Sequence, residues 1–106
     1  MDFNVFVRGV DNPAVVREMA EGRIAAGLQR FESRVRRATV RLEDETGPNQ
    51  HGIDKVCSIE LLLDSGDVRI REVGSDFSSV IDVAVDRMRA ALGRQVSRDK
   101  RGIGEG

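Results

Sequence analysis

The stretch KVCSIELLLDSGDVRIREV, residues 55–73, contains two apolar–polar alternations separated by a turn signal. Apolar side chains at every second position, as in Cys57, Ile59 and Leu61, are typical of a strand that buries one face. The intervening DSGD, residues 64–67, favours a tight reversal of the chain because it is rich in aspartate, serine and glycine. The stretch therefore predicts a β-hairpin whose second strand is VRIREV.

Two further strands precede this hairpin. Residues 35–43 also alternate with period two, and Ala38, Val40 and Leu42 share one face of that predicted strand. Residues 2–8, DFNVFVR, alternate in the same way. Since no helical pattern separates the last three strands, they are predicted to form an antiparallel meander. The first strand is expected to lie parallel to the second, because a crossover helix connects them.

Two helices complete the element order. Asn12 is a favourable N-cap for the first helix and Pro13 suits its first position, and apolar residues then recur at helical spacing to about residue 32. The second helix shows the same spacing over residues 81–96. Three polar residues can cap it: Ser75, Asp76 and Ser78. The order β-α-β-β-β-α predicts an α+β, two-layer sandwich, with both helices on one face of a four-stranded sheet.

The predicted core lies between the helices and the apolar face of the sheet. Its members are Val5, Val7, Ile24, Phe31, Val40, Ile59, Leu61, Ile81, Met88 and Leu92. A domain formed by residues 1–101 is large enough to bury such a core without a disulfide or a metal. Residues 102–106 are expected to form a disordered tail because they offer nothing to pack.

The composition argues against several classes of protein. Cys57 is the only cysteine and cannot form an intramolecular disulfide, which fits a reducing compartment such as the cytoplasm. No segment approaches the roughly 20 apolar residues of a membrane span, so no membrane association is expected. The single histidine, His51, lacks a partner for catalysis or for a structural zinc site. We expect no enzyme activity, no metal, no cofactor and no small-molecule substrate.

Positive charge is concentrated in two segments, although the formal net charge is −1. Residues 87–101 carry six basic side chains against one acidic, and residues 30–41 carry five arginines against Glu32. At about 100° per residue, Arg87, Arg94, Arg98 and Arg101 fall within about 60° of one another on the last helix. Such a ridge could follow the phosphates of a nucleic acid, or it could be a solvated face that complements the helix dipole. The sequence leaves both interpretations open.

Other charged groups have simpler interpretations. Four arginines are expected on the open face of the sheet: Arg37, Arg41, Arg69 and Arg71. We predict that this face is solvated, because Phe6 is the only aromatic residue available there for base stacking. Asp86 is placed to hold Arg89 through an exposed pair of small energetic value. The acidic run at residues 43–45 could bind a hard cation, but acidic loops more commonly serve solubility.

The element order resembles that of the ribosome hibernation-promoting factor and ribosome-associated inhibitor family, also called sigma-54 modulation proteins. Residues 74–100, GSDFSSVIDVAVDRMRAALGRQVSRDK, and residues 17–31, REMAEGRIAAGLQRF, carry the resemblance, which extends over residues 1 to about 101. The second helix of that family typically opens with Asp and an aromatic residue or Met, and ends rich in Lys. Matching positions here are Asp76, Phe77, Ile81, Asp82, Asp86, Arg87, Met88, Leu92, Arg94, Arg98 and Lys100.

The resemblance implies a non-catalytic translation silencer of the stress response. It would dock on the rRNA of the small ribosomal subunit and block the channel for mRNA and tRNA. The family's basic contacts correspond to Arg23, Arg30, Arg87, Arg94, Arg98, Lys100 and Arg101.

Several positions depart from the family pattern. Ala26 and Ala90 stand where family members often carry Lys or Arg, and Glu18 and Glu21 dilute the charge of the first helix. These departures keep an alternative open: a regulatory or protein-interaction module of the same fold with little RNA affinity. Because the sequence ends at Gly106, the resemblance implies the short form of the family, without a C-terminal dimerisation domain.

Overall fold

The computed structural model describes the backbone of residues 1–45 and 54–105 and the side chains of residues 1–45 and 54–99. Within these residues the predicted order β-α-β-β-β-α is confirmed. The elements are β1 (Asp2–Arg8), α1 (Pro13–Leu28), a 3₁₀ segment (Gln29–Arg34), β2 (Val35–Asp44), β3 (Lys55–Leu63), β4 (Gly66–Gly74) and α2 (Phe77–Glu105).

The four strands form one open sheet in the order β1-β2-β3-β4. β1 runs parallel to β2, whereas β2, β3 and β4 are successively antiparallel, as the sequence predicts. β3 and β4 are joined by the predicted tight turn, where Leu63 pairs with Gly66. Gly66 has a φ of +144°, a backbone conformation that glycine adopts without the steric cost of a Cβ atom.

Both helices pack on the same face of the sheet. A single apolar cluster joins Ile24 of α1 and Met88 of α2 to alternate residues of the central strands. The register places Val40 of β2 opposite Ile59 of β3 within this cluster. The neighbouring Arg41 is exposed on the other face. The α+β sandwich with one covered and one open sheet face is therefore confirmed.

The predicted core is buried except for two residues of the first strand. Val5 and Val7 are only half-buried, because β1 is an edge strand with a neighbour on one side alone. The other predicted core residues are buried, and most of them have less than 2% of their surface exposed.

The first helix ends earlier than its apolar spacing predicts. α1 stops at Leu28, and the chain tightens into the 3₁₀ segment, which turns the side chain of Phe31 into the core at 8% exposure. Arg30 therefore lies in the 3₁₀ segment and not on α1. At the other end Pro13 begins the helix as predicted, but the Asn12 side chain makes no capping hydrogen bond.

The second helix is capped by one of the three predicted candidates. The backbone N–H of Ser79 donates to Asp76 Oδ1 over 2.9 Å. α2 then continues to Glu105, further than the apolar pattern alone predicts. The expectation that residues 102–106 form a disordered tail stays a prediction. No helix in the described part of the chain is long and apolar enough to cross a membrane.

α1 and α2 come into close contact at Gly27. A Cβ atom on Gly27 would lie 2.9 Å from Val85 Cγ1 and 3.1 Å from Met88 Cε. At Gly22, one and a half turns earlier on the same helix, no atom lies within 4 Å of the corresponding position. Of these two glycines, therefore, only Gly27 sets the distance between the helices.

We predict that the two glycines respond to alanine with opposite signs. Gly27→Ala should lower the free energy of unfolding by about 1–3 kcal/mol, because Val85 and Met88 must move away from α1. Gly22→Ala should raise it by about 0.5–1 kcal/mol, since alanine loses less backbone entropy in a helix. Urea denaturation of both variants measures the difference. Stabilisation by Gly27→Ala would contradict the helix packing described above.

A second prediction concerns the cap of α2. The backbone N–H of Ser79 is the main cause that holds the pKa of Asp76 below its ordinary value. Because the folded-state pKa is depressed, the carboxylate stabilises the fold above about pH 4 and loses this effect as the pH falls through the folded pKa. Asp76→Ala should thus lower the melting temperature by a few degrees at pH 7. The difference in melting temperature between the variant and the natural sequence should become smaller below about pH 4. A difference that becomes larger there would argue against the cap.

Candidate nucleic-acid interface

The two helices run parallel to each other. Along α1, Arg23 contacts Ser78 and Asp82 of α2, and four residues later Gly27 faces Val85 and Met88. The contacts advance in the same direction on both helices. Their C-terminal halves therefore lie at one end of the domain.

Parallel packing brings the two basic segments of the sequence to the same end. Arg34 Nη1, in the 3₁₀ segment, lies 3.8 Å from Asp99 Oδ2 of α2. Ser65 of the β3–β4 turn donates a hydrogen bond of 3.1 Å to the same carboxylate. The neighbouring Asp64 pairs with Arg36 at the start of β2 over 3.4 Å. Residues 34–36 and 95–99 thus share one end of the fold, although they are far apart in the sequence.

Arg94 and Arg98 are the members of the predicted ridge that are available for binding. Both side chains are exposed, and within the described residues neither forms an ion pair with a carboxylate. Their separation by four residues places them on one side of α2, about 40° apart. The side chains of Lys100 and Arg101, which the sequence adds to this ridge, lie outside the described residues.

Arg87 begins the ridge but is engaged in an intramolecular contact. Its Nη1 lies 2.8 Å from Oε1 of Glu72 on β4, and the Glu72 side chain is only 15% exposed. Oε1 has no well-aligned hydrogen bond in the described part of the chain, so the contact is mainly electrostatic. Arg87 therefore neutralises a largely buried carboxylate at the sheet edge.

Arg23 is even more firmly held. Its Nη1 donates to Ser78 O at 2.9 Å, Ser78 Oγ at 3.0 Å and Asp82 Oδ1 at 2.9 Å. These acceptors all lie in the first turns of α2. Arg23 thus ties the middle of α1 to the start of α2, and its guanidinium is not free in the way that those of Arg94 and Arg98 are.

Arg30 lies at a groove between the helices, together with an arginine that the sequence interpretation did not include among the contacts. Ala26, Gly27, Gln29, Arg30 and Arg89 line this groove, which has a volume of about 330 Å³. Because Gly27 has no side chain, Arg89 Cδ lies 3.7 Å from where its Cβ would be. No ion pair joins Arg89 to Asp86 within the described residues, contrary to the sequence interpretation.

The arginines on and beside α2 fall into two groups, one on each flank of the helix. Arg87 marks the flank that faces β4, whereas Arg89, about 160° away around the helix, faces α1. Arg94 and Arg98 follow Arg87, and Arg30 lies with Arg89 in the groove. The structure therefore presents a ridge and a groove at the same basic end of the domain.

The arginines of the open sheet face are mostly paired. Arg37, Arg69 and Arg71 lie within 4.0 Å of carboxylates of Asp2, Asp67 and Glu45, respectively. Arg41 instead stacks on Phe6, with its Cζ 5.2 Å from the ring centroid. The three ion pairs neutralise Arg37, Arg69 and Arg71, whereas Arg41 keeps its charge.

Other candidate sites of the sequence are occupied by structural contacts. Asp44 and Asp54 are buried and both approach Lys55 Nζ, at 3.1 and 2.9 Å, and hydrogen bonds to Asp54 and then Asp44 raise the pKa of Lys55. Burial, and to a lesser extent the charge of Glu72, raises the pKa of Cys57 to about 12, so the thiol is unreactive at neutral pH. No group of three metal-binding side chains occurs in the described part of the chain. His51 lies outside it.

Comparison with known proteins gives two kinds of result. A family model described as sigma 54 modulation protein / S30EA ribosomal protein matches residues 3–100. The N-terminal domain of Thermus thermophilus Protein Y has 26% sequence identity and a TM-score of 0.68, over 89% of this chain and 98% of that one. A ribosomal subunit interface protein from Coxiella burnetii shares the fold, with a TM-score of 0.74 over 92% and 99% of the chains, at 13% identity. No curated protein sequence matches the chain.

The division into engaged and free arginines predicts different effects on stability. Arg23→Gln should lower the free energy of unfolding by about 1 kcal/mol, because it removes the partly buried link between α1 and α2. Arg94→Gln should change it by less than about 0.5 kcal/mol, since Arg94 is exposed and unpaired. The two variants differ in position but not in chemistry, and urea denaturation compares them directly. Equal losses would show that Arg23 makes no special contribution.

Proposed function

The chain belongs to the sigma 54 modulation protein / S30EA ribosomal protein family, and on that premise we propose that it is a non-catalytic translation silencer that docks on the rRNA of the small ribosomal subunit. The docking surface is the basic end of the helix layer. When the protein is bound to the subunit, it blocks the channel that mRNA and tRNA use. No cofactor takes part, because the interaction is one of charge and shape.

The observation that carries this proposal is the convergence of two basic segments at the C-terminal ends of parallel helices. A polyanion responds to the potential of the face that it approaches and not to the net charge of the whole protein. The formal net charge of −1 therefore does not argue against an RNA partner. Among the described residues of this end, Arg94, Arg98, Arg30 and Arg89 form no ion pair. The Arg30 guanidinium carbon lies 5.4 Å from the Phe31 ring centroid, a contact that leaves its charge in place.

The ridge and the groove make different kinds of phosphate contact. Arg94 and Arg98 on the exposed side of α2 are spaced to contact successive phosphates of one strand. Arg30 and Arg89 come from different elements and line a concave surface, where one phosphate can receive two charged donors. Contacts of this kind position the protein without reading the base sequence.

The opposite end of the helix layer limits how the domain can be oriented. Four exposed carboxylates lie in the N-terminal and middle turns of the helices: Glu18, Glu21, Asp82 and Asp86. They repel phosphates, and Asp82 also neutralises Arg23. These carboxylates disfavour RNA along the outer faces of these turns, so the C-terminal ends of the helices are the preferred side of approach.

We predict that the ridge determines the salt dependence of ribosome binding. Replacing Arg94 and Arg98 with Gln should lower the slope of log affinity against log salt by about 1.5 units, if each makes one phosphate contact. Arg37→Gln with Arg71→Gln is the matched control, because it removes the same charge from the open sheet face. Co-sedimentation with small ribosomal subunits across a salt series measures both, and the control should bind like the natural sequence.

Two outcomes would overturn the proposal in different ways. If the control pair abolished binding while the ridge variant bound normally, the docking surface would be on the open sheet face. If the unaltered chain did not bind small subunits even at low salt, the chain would act as a regulatory or protein-interaction module of the same fold.

A further inference from the structure

A second group of unpaired arginines lies at the end of the domain opposite the basic end of the helices. Arg8 and Arg41 lie near the C-terminal ends of the parallel strands β1 and β2, and Arg17 lies in the early turns of α1. Together with Phe6 and Glu43 they line a cavity of about 200 Å³. Three cations from three different elements thus converge on one concave surface.

None of the three arginines is neutralised by a neighbouring carboxylate in the described part of the chain. Seven other arginines there form ion pairs within 4.0 Å. Arg8, Arg17 and Arg41 form none, although Glu43 is opposite Arg8 in the strand register. Glu43 is the one carboxylate that lines the cavity, so the site keeps an excess of positive charge.

Phe6 adds an aromatic surface to this cavity. Its side chain is 50% exposed, among the most exposed large apolar residues of the described chain. The Arg41 guanidinium carbon lies 5.2 Å from its ring centroid, so the two side chains form one stacked unit. Aromatic rings and arginine planes are the surfaces on which unpaired bases stack.

We propose that this cavity binds a nucleotide unit. The phosphate lies among Arg8, Arg17 and Arg41, and the base stacks on the surface formed by Phe6 and Arg41. Glu43 accepts a hydrogen bond from an amino group of the base or a hydroxyl of the sugar. An inorganic anion uses only the arginines and is repelled by Glu43, whereas a nucleotide gains from all five side chains.

The site is independent of the proposed docking surface, because it shares no residue with the ridge or the groove. The nucleotide has two possible sources: a free mononucleotide, or an unpaired nucleotide within an RNA strand. Both offer the same phosphate and base, and they differ in whether neighbouring nucleotides strengthen binding.

The test is a titration of the ¹⁵N-labelled chain, followed through the backbone amides of Phe6, Arg8 and Arg17. The probes are adenosine 5′-monophosphate, adenosine, inorganic phosphate and a single-stranded RNA tetranucleotide. Adenosine 5′-monophosphate should saturate these shifts at a concentration at least about tenfold lower than phosphate or adenosine. If the tetranucleotide saturates the shifts at a lower concentration than adenosine 5′-monophosphate, the source is an RNA strand. If it needs the same or a higher concentration, the source is the free nucleotide.

Substitutions separate the two halves of the site. Arg17→Gln should weaken binding of adenosine 5′-monophosphate about tenfold through loss of a charged donor. Phe6→Leu should make the affinity for adenosine 5′-monophosphate equal to that for inorganic phosphate. Arg8→Gln provides a second phosphate-site variant if Arg17→Gln lowers the melting temperature. Arg69→Gln, a sheet-face arginine outside the cavity, should bind normally, as should the Arg94 and Arg98 variant. Equal affinities for phosphate and nucleotide, or unchanged binding in both the Arg17 and the Phe6 variants, would overturn the proposal.

Discussion

The close contact between α1 and α2 at Gly27 is the constraint on which the distribution of charge in this domain depends. Because Gly27 has no side chain, Val85 and Met88 pack directly against the backbone of α1. The helices are held parallel on one face of the sheet, and the same absence of a side chain lets the stem of Arg89 lie across α1. The groove that Arg89 shares with Arg30 exists because the helices are this close.

Arginine serves two purposes in the domain, and burial of the partner separates them. Arg87 faces a carboxylate that is 15% exposed, so its removal would leave a charge in a poorly solvated place, which is costly. Arg23 bridges two helices through three acceptors. Arg94 and Arg98 make no such intramolecular contacts, so phosphate can replace the water around their guanidinium groups. For the proposed ribosome binding, the number of basic residues matters less than which of them the fold leaves unpaired.

Much of the fold could be predicted from the sequence, because period-two and helical spacing state which face of an element is apolar. Val40, Ile59 and Met88 are buried for that reason. Periodicity does not state which element lies beside a given face. It could therefore not show that Arg87 contacts Glu72 on the neighbouring strand, or that Arg89 contacts α1 at Gly27, which is far away in the sequence. Likewise the cavity at Phe6 depends on the register of β1 with β2, which alternation alone leaves open.

In the proposed function the basic end of the helix layer, and not the open face of the sheet, contacts the ribosome. Site-directed photocrosslinking tests it most directly, with a photoreactive side chain placed at Arg94 in one variant and at Arg69 in another. Both positions are exposed, so neither substitution disturbs the core. We predict that the probe at Arg94 crosslinks to rRNA in small subunits, whereas the probe at Arg69 does not. Crosslinking to rRNA from Arg69 alone would contradict it.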